Sequence, residues 1–236
     1  MTRAVSERND GVALQFPPVS CLLPPSGITV VVKIQSAEFI TTVGLDGSLP
    51  VAHLPQIALI GRSNVGKSTL INALAHRKIA RAGGAPGTTR LLNVYRIQLA
   101  SHRGELLLID LPGYGYARGG SAANRGFDRL TQRFFHPDRH QTPDRPGHTG
   151  PAGAILLVDA RHPGLESDRD ALAWLNELDL PLVVAATKAD RLKPSARRAA
   201  LRAHETALGR TVLPISAKLG DGLPVFWTAL LKLAGV

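Results

Sequence analysis

The stretch "LIGRSNVGKSTLINAL", residues 59–74, constrains this chain more than any other. An apolar run, "PQIALIG", leads into it, and a helical pattern follows from Ser68 to Ala75. Between them Gly61, Arg62, Ser63, Asn64, Val65, Gly66, Lys67 and Ser68 match the eight-residue phosphate-loop pattern. A strand before and a helix after give such a pattern its meaning. The glycines let backbone N–H groups turn inward around phosphate oxygens, and the helix N-terminus adds its positive end. Lys67 can reach the β- and γ-phosphates as a compact charge, and Ser68 offers a hydroxyl to Mg²⁺. A lone loop of this kind does not choose between ATP and GTP, or between a kinase and a switch.

Later segments decide. "LLLIDLPG", residues 106–113, is an apolar strand ending in an aspartate. Asp110 can hold Mg²⁺ through water, and beyond Leu111 and Pro112 the Gly113 N–H can contact a γ-phosphate. Between the two motifs lies "PGTT", residues 86–89, where a loop hydroxyl can bind Mg²⁺ only while the γ-phosphate is present. Thr89 is preferred there, with Thr88 the neighbouring alternative and an ordinary capping threonine the bland one. "ATKAD", residues 186–190, ends another buried strand. Asp190 can accept from guanine N1–H and its exocyclic amine, whereas adenine would leave both contacts unmade. Lys188 can cover the base with its stem, and Thr187 stands where asparagine is commoner. "ISAK", residues 215–218, supplies Ile215, Ser216 and Ala217, whose last N–H can approach guanine O6.

The chain has 236 residues and a net charge of +10. That length suits one sizeable α/β domain with tails. The charge favours an anionic partner, although a solvated basic surface explains it equally. Cys21 is the one cysteine, which excludes a disulfide framework within the chain. No apolar run approaches the ~20 residues of a membrane span. A cytoplasmic protein is expected, with a transit peptide disfavoured by Glu7 and Asp10.

Residues 1–27 are Pro-rich and read as a flexible tail, and 28–236 as the nucleotide-binding domain. Residues 28–34 read as a strand or the entry to one, and strands are expected over 55–61, 91–99, 105–110, 154–159, 182–187 and 211–215. Helices are expected over 68–75, 122–135, 165–178, 195–208 and 223–234. Residues 136–151, "HPDRHQTPDRPGHTGP", form a basic Pro- and His-rich loop insertion. His136, His140 and His148 lack cysteine and fixed spacing, which argues against a metal site there. The alternation gives an α/β phosphate-loop fold: a mostly parallel sheet with one antiparallel strand and helices on both faces.

The ordered set "LPQIALIGRSNVGKSTLINAL", "PGTTR", "DLPGYGYA", "DARHPG", "TKAD" and "SAK" resembles the EngB (YihA/YsxC) family of the TRAFAC GTPases over residues 33–234. The resemblance implies a GTP-dependent factor for assembly of the large (50S) ribosomal subunit, historically tied to cell division and septation. It maps the nucleotide site onto Gly61–Ser68, then Gly87, Thr88, Thr89, Arg90 and Leu91, then Asp110–Gly113, Thr187, Lys188, Ala189, Asp190 and Ile215–Ala217. The Mg²⁺ ligands map onto Ser68 and Thr89. The tail and the 136–151 loop fall outside the family pattern.

Many GTPases orient the attacking water with a glutamine directly after the Gly113 position; here Tyr114 has no amide. Slow intrinsic hydrolysis is expected. Asn64 resembles the residue that helps hold K⁺ in potassium-activated GTPases; it can equally satisfy loop N–H groups, and the two readings stand level. Catalysis is assigned to Lys67, Asn64 and Thr89. Arg118, Arg125, Arg129 and Arg133 follow the γ-phosphate-sensing loop, and Arg198 and Arg202 form a second basic pair. Precursor rRNA is the favoured partner, DNA is not expected, and a monomer is. The competing functions are a phosphate-loop kinase, for which no acceptor pocket or lid is visible, and a septum- or membrane-associated GTP-dependent interaction protein. The latter lacks an amphipathic anchor or lipidation motif.

Overall fold

The computed structural model describes residues 32–44, 54–80, 91–100, 104–114, 130–136 and 150–236. The elements are β1 (Ile34–Val43), β2 (Gln56–Gly61), α1 (Lys67–Leu74), β3 (Leu92–Leu99), β4 (Glu105–Asp110), β5 (Gly153–Asp159), α2 (Glu166–Asn176), β6 (Leu182–Thr187), α3 (Pro194–Leu208), β7 (Val212–Pro214) and α4 (Leu223–Ala234). A single 3₁₀ turn, Ala189–Arg191, follows β6. Residues 130–135 are also helical, the described end of the helix expected over 122–135.

All seven strands form one sheet in the order β1-β3-β4-β2-β5-β6-β7. β3 runs antiparallel to both β1 and β4, and the remaining pairs are parallel. β3 is therefore the one reversed strand, and β1 points the same way as β4. The apolar "ITVVVKI", read as a strand or the entry to one, leads into the edge strand: residues 28–31 lie outside the described residues, 32–33 are not in a strand, and β1 runs from Ile34 to Val43. Its sequence, "IQSAEFITTV", alternates poorly because an edge strand with a solvated face has little to bury. Register shifts at Ile34/Ser36 and Phe39/Thr41 break the period further. The pairing is carried instead by cross-strand contacts, Ser36 with Gln98 and Thr42 with Asn93, each 3.0 Å.

The central strands are buried on both faces, as their continuous apolar runs require. Ile57, Leu59, Leu106, Leu108, Ile155 and Leu157 pack on one face with α1 and α4. Ala58, Ile60, Leu107, Ile109, Leu156 and Val158 pack on the other with α2, α3 and residues of the 130–135 helix. Two layers of helices thus hold the sheet flat enough that the carboxyl ends of β2, β4, β5, β6 and β7 line a single edge. In open α/β sheets the ligand crevice lies along that edge, where successive strands diverge to left and right. Here that point is β2, with β4 on one side and β5 on the other.

His204 lies fully buried on α3, with Nε2 3.1 Å from the Asp159 carbonyl oxygen. Burial lowers its pKa, and the Asp159 carbonyl together with the nearby Asp168 and Asp159 carboxylates only partly offsets this. The folded protein therefore binds a proton at His204 less readily than the unfolded chain does. Stability contributed by the neutral ring is present above the unfolded pKa of about 6.5 and lost as pH falls through the folded value. Thermal melts between pH 7.5 and 5 should drop more steeply for the wild type than for His204→Gln. Parallel curves would remove His204 as the source.

Candidate nucleotide site

Five strand ends assemble the site. Gly61 closes β2, Asp110 closes β4, Asp159 closes β5, Thr187 closes β6 and Pro214 closes β7. The register fixes their heights: Leu59 sits opposite Asp110, Gly61 opposite Leu157, and Asp159 opposite Thr187.

Residues 62–66 turn from β2 into α1. Asn64 has φ 61 and Gly66 has φ 116, immediately before the first helical residue, Lys67. At Gly66 only glycine is comfortable, and Asn64 adopts a left-handed conformation that asparagine tolerates better than most residues. The Asn64 side chain is exposed and makes no hydrogen bond among the described residues. Its backbone conformation is a third reason for asparagine here, one the residue pattern did not reveal. Val65 is 2 % exposed and anchors the loop in the core. Ser68 stands in the first turn of α1, partly exposed.

Lys67 Nζ donates to the Gly61 carbonyl at 3.1 Å and lies 3.9 Å from Asp110 Oδ1. Burial lowers the Lys67 pKa, with Asp110 acting in the opposite sense. Burial likewise pushes the Asp110 carboxyl up to about 6, against the pull of Lys67 and a hydrogen bond from Asn93. Asp110 Oδ1 is buried without a hydrogen-bond partner among the described residues. A buried carboxylate oxygen left in this condition fits a hydrated divalent cation, which would supply the missing donors. Gly113 passes so close to the loop that an added Cβ would stand 2.6 Å from Ser63 N and 2.7 Å from Ser63 Oγ. Leu111 is buried, and its N–H donates to the Leu59 carbonyl at 3.1 Å. Pro112 follows it, so the whole 110–113 segment runs beside the phosphate loop.

The loops after β6 and β7 are tied to the same place. The Thr187 hydroxyl lies 2.6 Å from the Val65 carbonyl and 3.1 Å from the Val158 carbonyl, and is buried. It donates into the phosphate loop, so the contact expected to differ from asparagine's is a hydroxyl-to-carbonyl bond. Lys188, at φ 59, sends Nζ to the Asn64 carbonyl at 2.5 Å and to Asp159 Oδ2 at 2.9 Å. Its stem thereby runs beside the phosphate loop, with Cε 3.9 Å from where a Cβ at Gly66 would stand. The Ala189 N–H donates to the Ile215 carbonyl at 3.2 Å, joining the 187–190 and 215–217 loops. Ser216 is fully buried; its N–H donates to the Asp221 carbonyl at 2.9 Å and its hydroxyl accepts from the Leu219 N–H at 3.1 Å. That leaves Ala217 partly open at the turn.

Gly87, Thr88, Thr89 and Arg90 lie outside the described residues, as do Arg118, Arg125, Arg129, His140 and His148. Leu91, the last of its group, is described and exposed just before β3. The approach to that loop is set by Asn72 of α1. Its Oδ1 accepts from the Ile79 and Ala80 N–H groups and its Nδ2 donates to the Ala80 carbonyl, all at 2.8 Å.

The residue patterns gave two carboxylates no role, although Asp159 opens "DARHPG". Asp159 accepts from Arg161 Nε at 2.9 Å and Nη2 at 2.7 Å, besides Lys188. Burial alone would raise its pKa, but the Arg161 and Lys188 hydrogen bonds outweigh this and hold the carboxyl well below the usual range. The signal was present: "LLVDA" repeats the strand-end aspartate of "LLIDL". Asp168 is 1 % exposed on the buried stripe of α2 with Ala171, Leu172 and Leu175. A charge at an apolar helical position was the clue to it.

A family model described as 50S ribosome-binding GTPase matches residues 56–188. A GTP-binding protein named EngB from Pelotomaculum thermopropionicum is 38% identical over 180 residues, covering 76% of this chain and 83% of that protein. Its counterpart from Anaeromyxobacter sp. (strain K) is 39% identical over 211 residues, covering 86% and 93%. Among solved structures, an EngB GTP-binding protein superposes with TM-score 0.56 at 24% identity, over 76% of this chain and 98% of that one. Era, crystallised with MgGDPNP and nucleotides of 16S ribosomal RNA, superposes with TM-score 0.58 at 22% identity, over 76% and 56%. These two establish the fold; the family match and the relatives' identity carry the activity. The chain is a GTP-binding, GTP-hydrolysing protein and belongs to the EngB family.

Proposed function

We propose that this GTPase is a slow, Mg²⁺-dependent switch that acts on large-subunit ribosomal precursors and touches them through rRNA. In this reading residues 28–236 are one nucleotide-binding domain with residues 1–27 as a tail and 136–151 as an insertion, working as a cytoplasmic monomer. Gly61–Ser68 wrap the phosphates, Lys67 neutralises their charge, and the Gly113 N–H senses the γ-phosphate. Ser68 and Thr89 hold Mg²⁺ directly and Asp110 holds it through water. The cation, when bound, offsets negative charge on the β- and γ-phosphates. Asp190 selects guanine, with Lys188 above it and the Ala217 N–H at O6. Tyr114 brings no amide to the attacking water, so turnover is slow. The exposed Asn64 oxygen is free to help hold K⁺, and turnover in KCl against NaCl tests that role.

The ribosomal part rests on one observation. From Arg191 to His204 the chain carries Arg191, Lys193, Arg197, Arg198 and Arg202 and no acidic residue. Four of these are exposed and Arg197 is partly so. None pairs with a carboxylate among the described residues. Lys193, Arg197 and Arg198 stand near the positive end of α3, whose first turn holds no acid. Each such charge is unfavourable by up to about 1 kcal/mol at low salt. A surface arranged against its own helix dipole is relieved by a polyanion, and phosphate contacts of this kind dominate RNA affinity. The family model's description, 50S ribosome-binding GTPase, supports the same partner; Era's complex is with 16S rRNA and supports only that a chain of this fold can meet ribosomal RNA. Division defects would then follow from a shortage of large subunits.

Sedimentation with large-subunit precursors tests this. We expect co-migration with a non-hydrolysable GTP analogue, weaker co-migration with GDP, steep loss on raising salt, and loss in Arg198→Glu/Arg202→Glu. Equal sedimentation in both nucleotides, or none, would overturn it.

A further inference from the structure

Asp168 is a buried carboxylate that the reading above does not use. Its Oδ1 accepts from Arg62 Nε at 3.1 Å and from the Tyr114 hydroxyl at 2.9 Å. Its Oδ2 is buried with no partner among the described residues. Burying a carboxylate is unfavourable unless it is paired and hydrogen-bonded. Its side-chain hydrogen bonds among the described residues come from two donors, each in a different part of the nucleotide site, and His204 adds only a charge interaction.

Arg62 is the second residue of the phosphate loop, and its side chain reaches α2. Tyr114 is the residue directly after Gly113, and its ring likewise points back to α2. The backbones of the same two residues form a parallel bridge, which continues the β2–β4 pairing beyond the strand ends. Gly113, between Asp110 and Tyr114, is pressed against Ser63. α2 itself is held by the apolar stripe of Ala171, Leu172 and Leu175. Asp168 is thus a fixed point outside both loops that grips the junction formed by the Arg62–Tyr114 bridge. The tyrosine hydroxyl is buried and its proton is held more firmly than usual by burial and by Asp168.

We propose that Asp168 is a positioning residue: through Tyr114 and Arg62 it holds Gly113 at the phosphate loop and so sets the affinity for GTP relative to that for GDP. The proposal rests on the reading that the Gly113 N–H contacts the γ-phosphate. A diphosphate makes no contact at Gly113, so the clasp has no leverage on it. A ligand shifts such an equilibrium only by its differential affinity for the two arrangements. Tyr114, standing where glutamine serves other GTPases, has its hydroxyl engaged by Asp168.

Binding of a fluorescent GTP analogue and of GDP should be measured for the wild type, Tyr114→Phe, Asp168→Asn, the double variant and Gly113→Ala. Tyr114→Phe removes one oxygen and keeps the ring, so it stays informative if Asp168→Asn folds poorly. We expect Tyr114→Phe to weaken the GTP analogue roughly 5- to 20-fold, the lower range of usual site-to-site coupling. GDP binding should change less than about 2-fold, and the double variant should lose little more than either single one, because both cut one link. Equal weakening of both nucleotides would make Asp168 merely structural, and no change in either would remove the clasp. If Gly113→Ala shifts the GTP-to-GDP ratio while Tyr114→Phe does not, the clasp alone is wrong. If Gly113→Ala leaves the ratio intact, the γ-phosphate reading falls and the clasp falls with it.

Discussion

Asp190→Asn should turn a guanine site into a xanthine site. The carboxylate can accept from guanine N1–H and from the exocyclic amine. An asparagine amide can still accept from N1–H, but its NH₂ meets the exocyclic amine donor to donor. Xanthine carries a carbonyl at that position, and the same NH₂ donates to it. Hydrogen bonds to a charged group are worth about 1.5–3 kcal/mol each. Losing the bond to the amine alone predicts roughly 10- to 150-fold weaker GTP binding at 1.4 kcal/mol per decade, and the donor-to-donor clash adds to that. The surrounding supports stay in place, because Thr187 holds Val65, Lys188 holds the Asn64 carbonyl, and Ala189 holds Ile215 through atoms the substitution leaves alone. Competition binding with GTP and XTP checks it. A variant that loses GTP without gaining XTP would place the base elsewhere.

Lys67→Ala should abolish useful nucleotide binding at any base. Lys67 Nζ is buried at the root of the loop, 3.1 Å from the Gly61 carbonyl and 3.9 Å from Asp110. A phosphate would replace the carbonyl as its partner, in a setting where burial already disfavours the ammonium. Truncating one member of such a charge pair costs about 2–5 kcal/mol, or roughly 30- to several-thousand-fold in affinity. The effect should be larger for GTP than for GDP. Titration calorimetry with both nucleotides measures this directly. Lys67→Arg should restore little, since the broader guanidinium does not fit the place of a point charge.

Much of this site was legible in order of residues. The phosphate loop, Asp110, Asp190 and the 215–217 turn are each a strand end followed by a turn, and strand ends announce themselves by apolar runs. The reversed strand was also legible, because β3 and β4 are joined by a turn too short for a crossover. Most of β1, past its entry at Ile34, was not legible because a half-exposed edge strand gives weak periodicity. Thr187 was legible as a departure from asparagine, but only its distance to the Val65 carbonyl shows what the hydroxyl does.

Sequence alone determined the ligand class and the family, since both depend on residue types at fixed short spacings along the chain. It could not determine which distant residues hold those loops in place. Asp159 meets Lys188 across 29 positions, Asp168 meets Arg62 across 106, and Thr187 meets Val65 across 122. Such contacts exist only because a parallel sheet brings five carboxyl-terminal strand ends to one edge. Only the tertiary structure could decide, therefore, that Arg62 and Tyr114 turn toward a single buried carboxylate, Asp168.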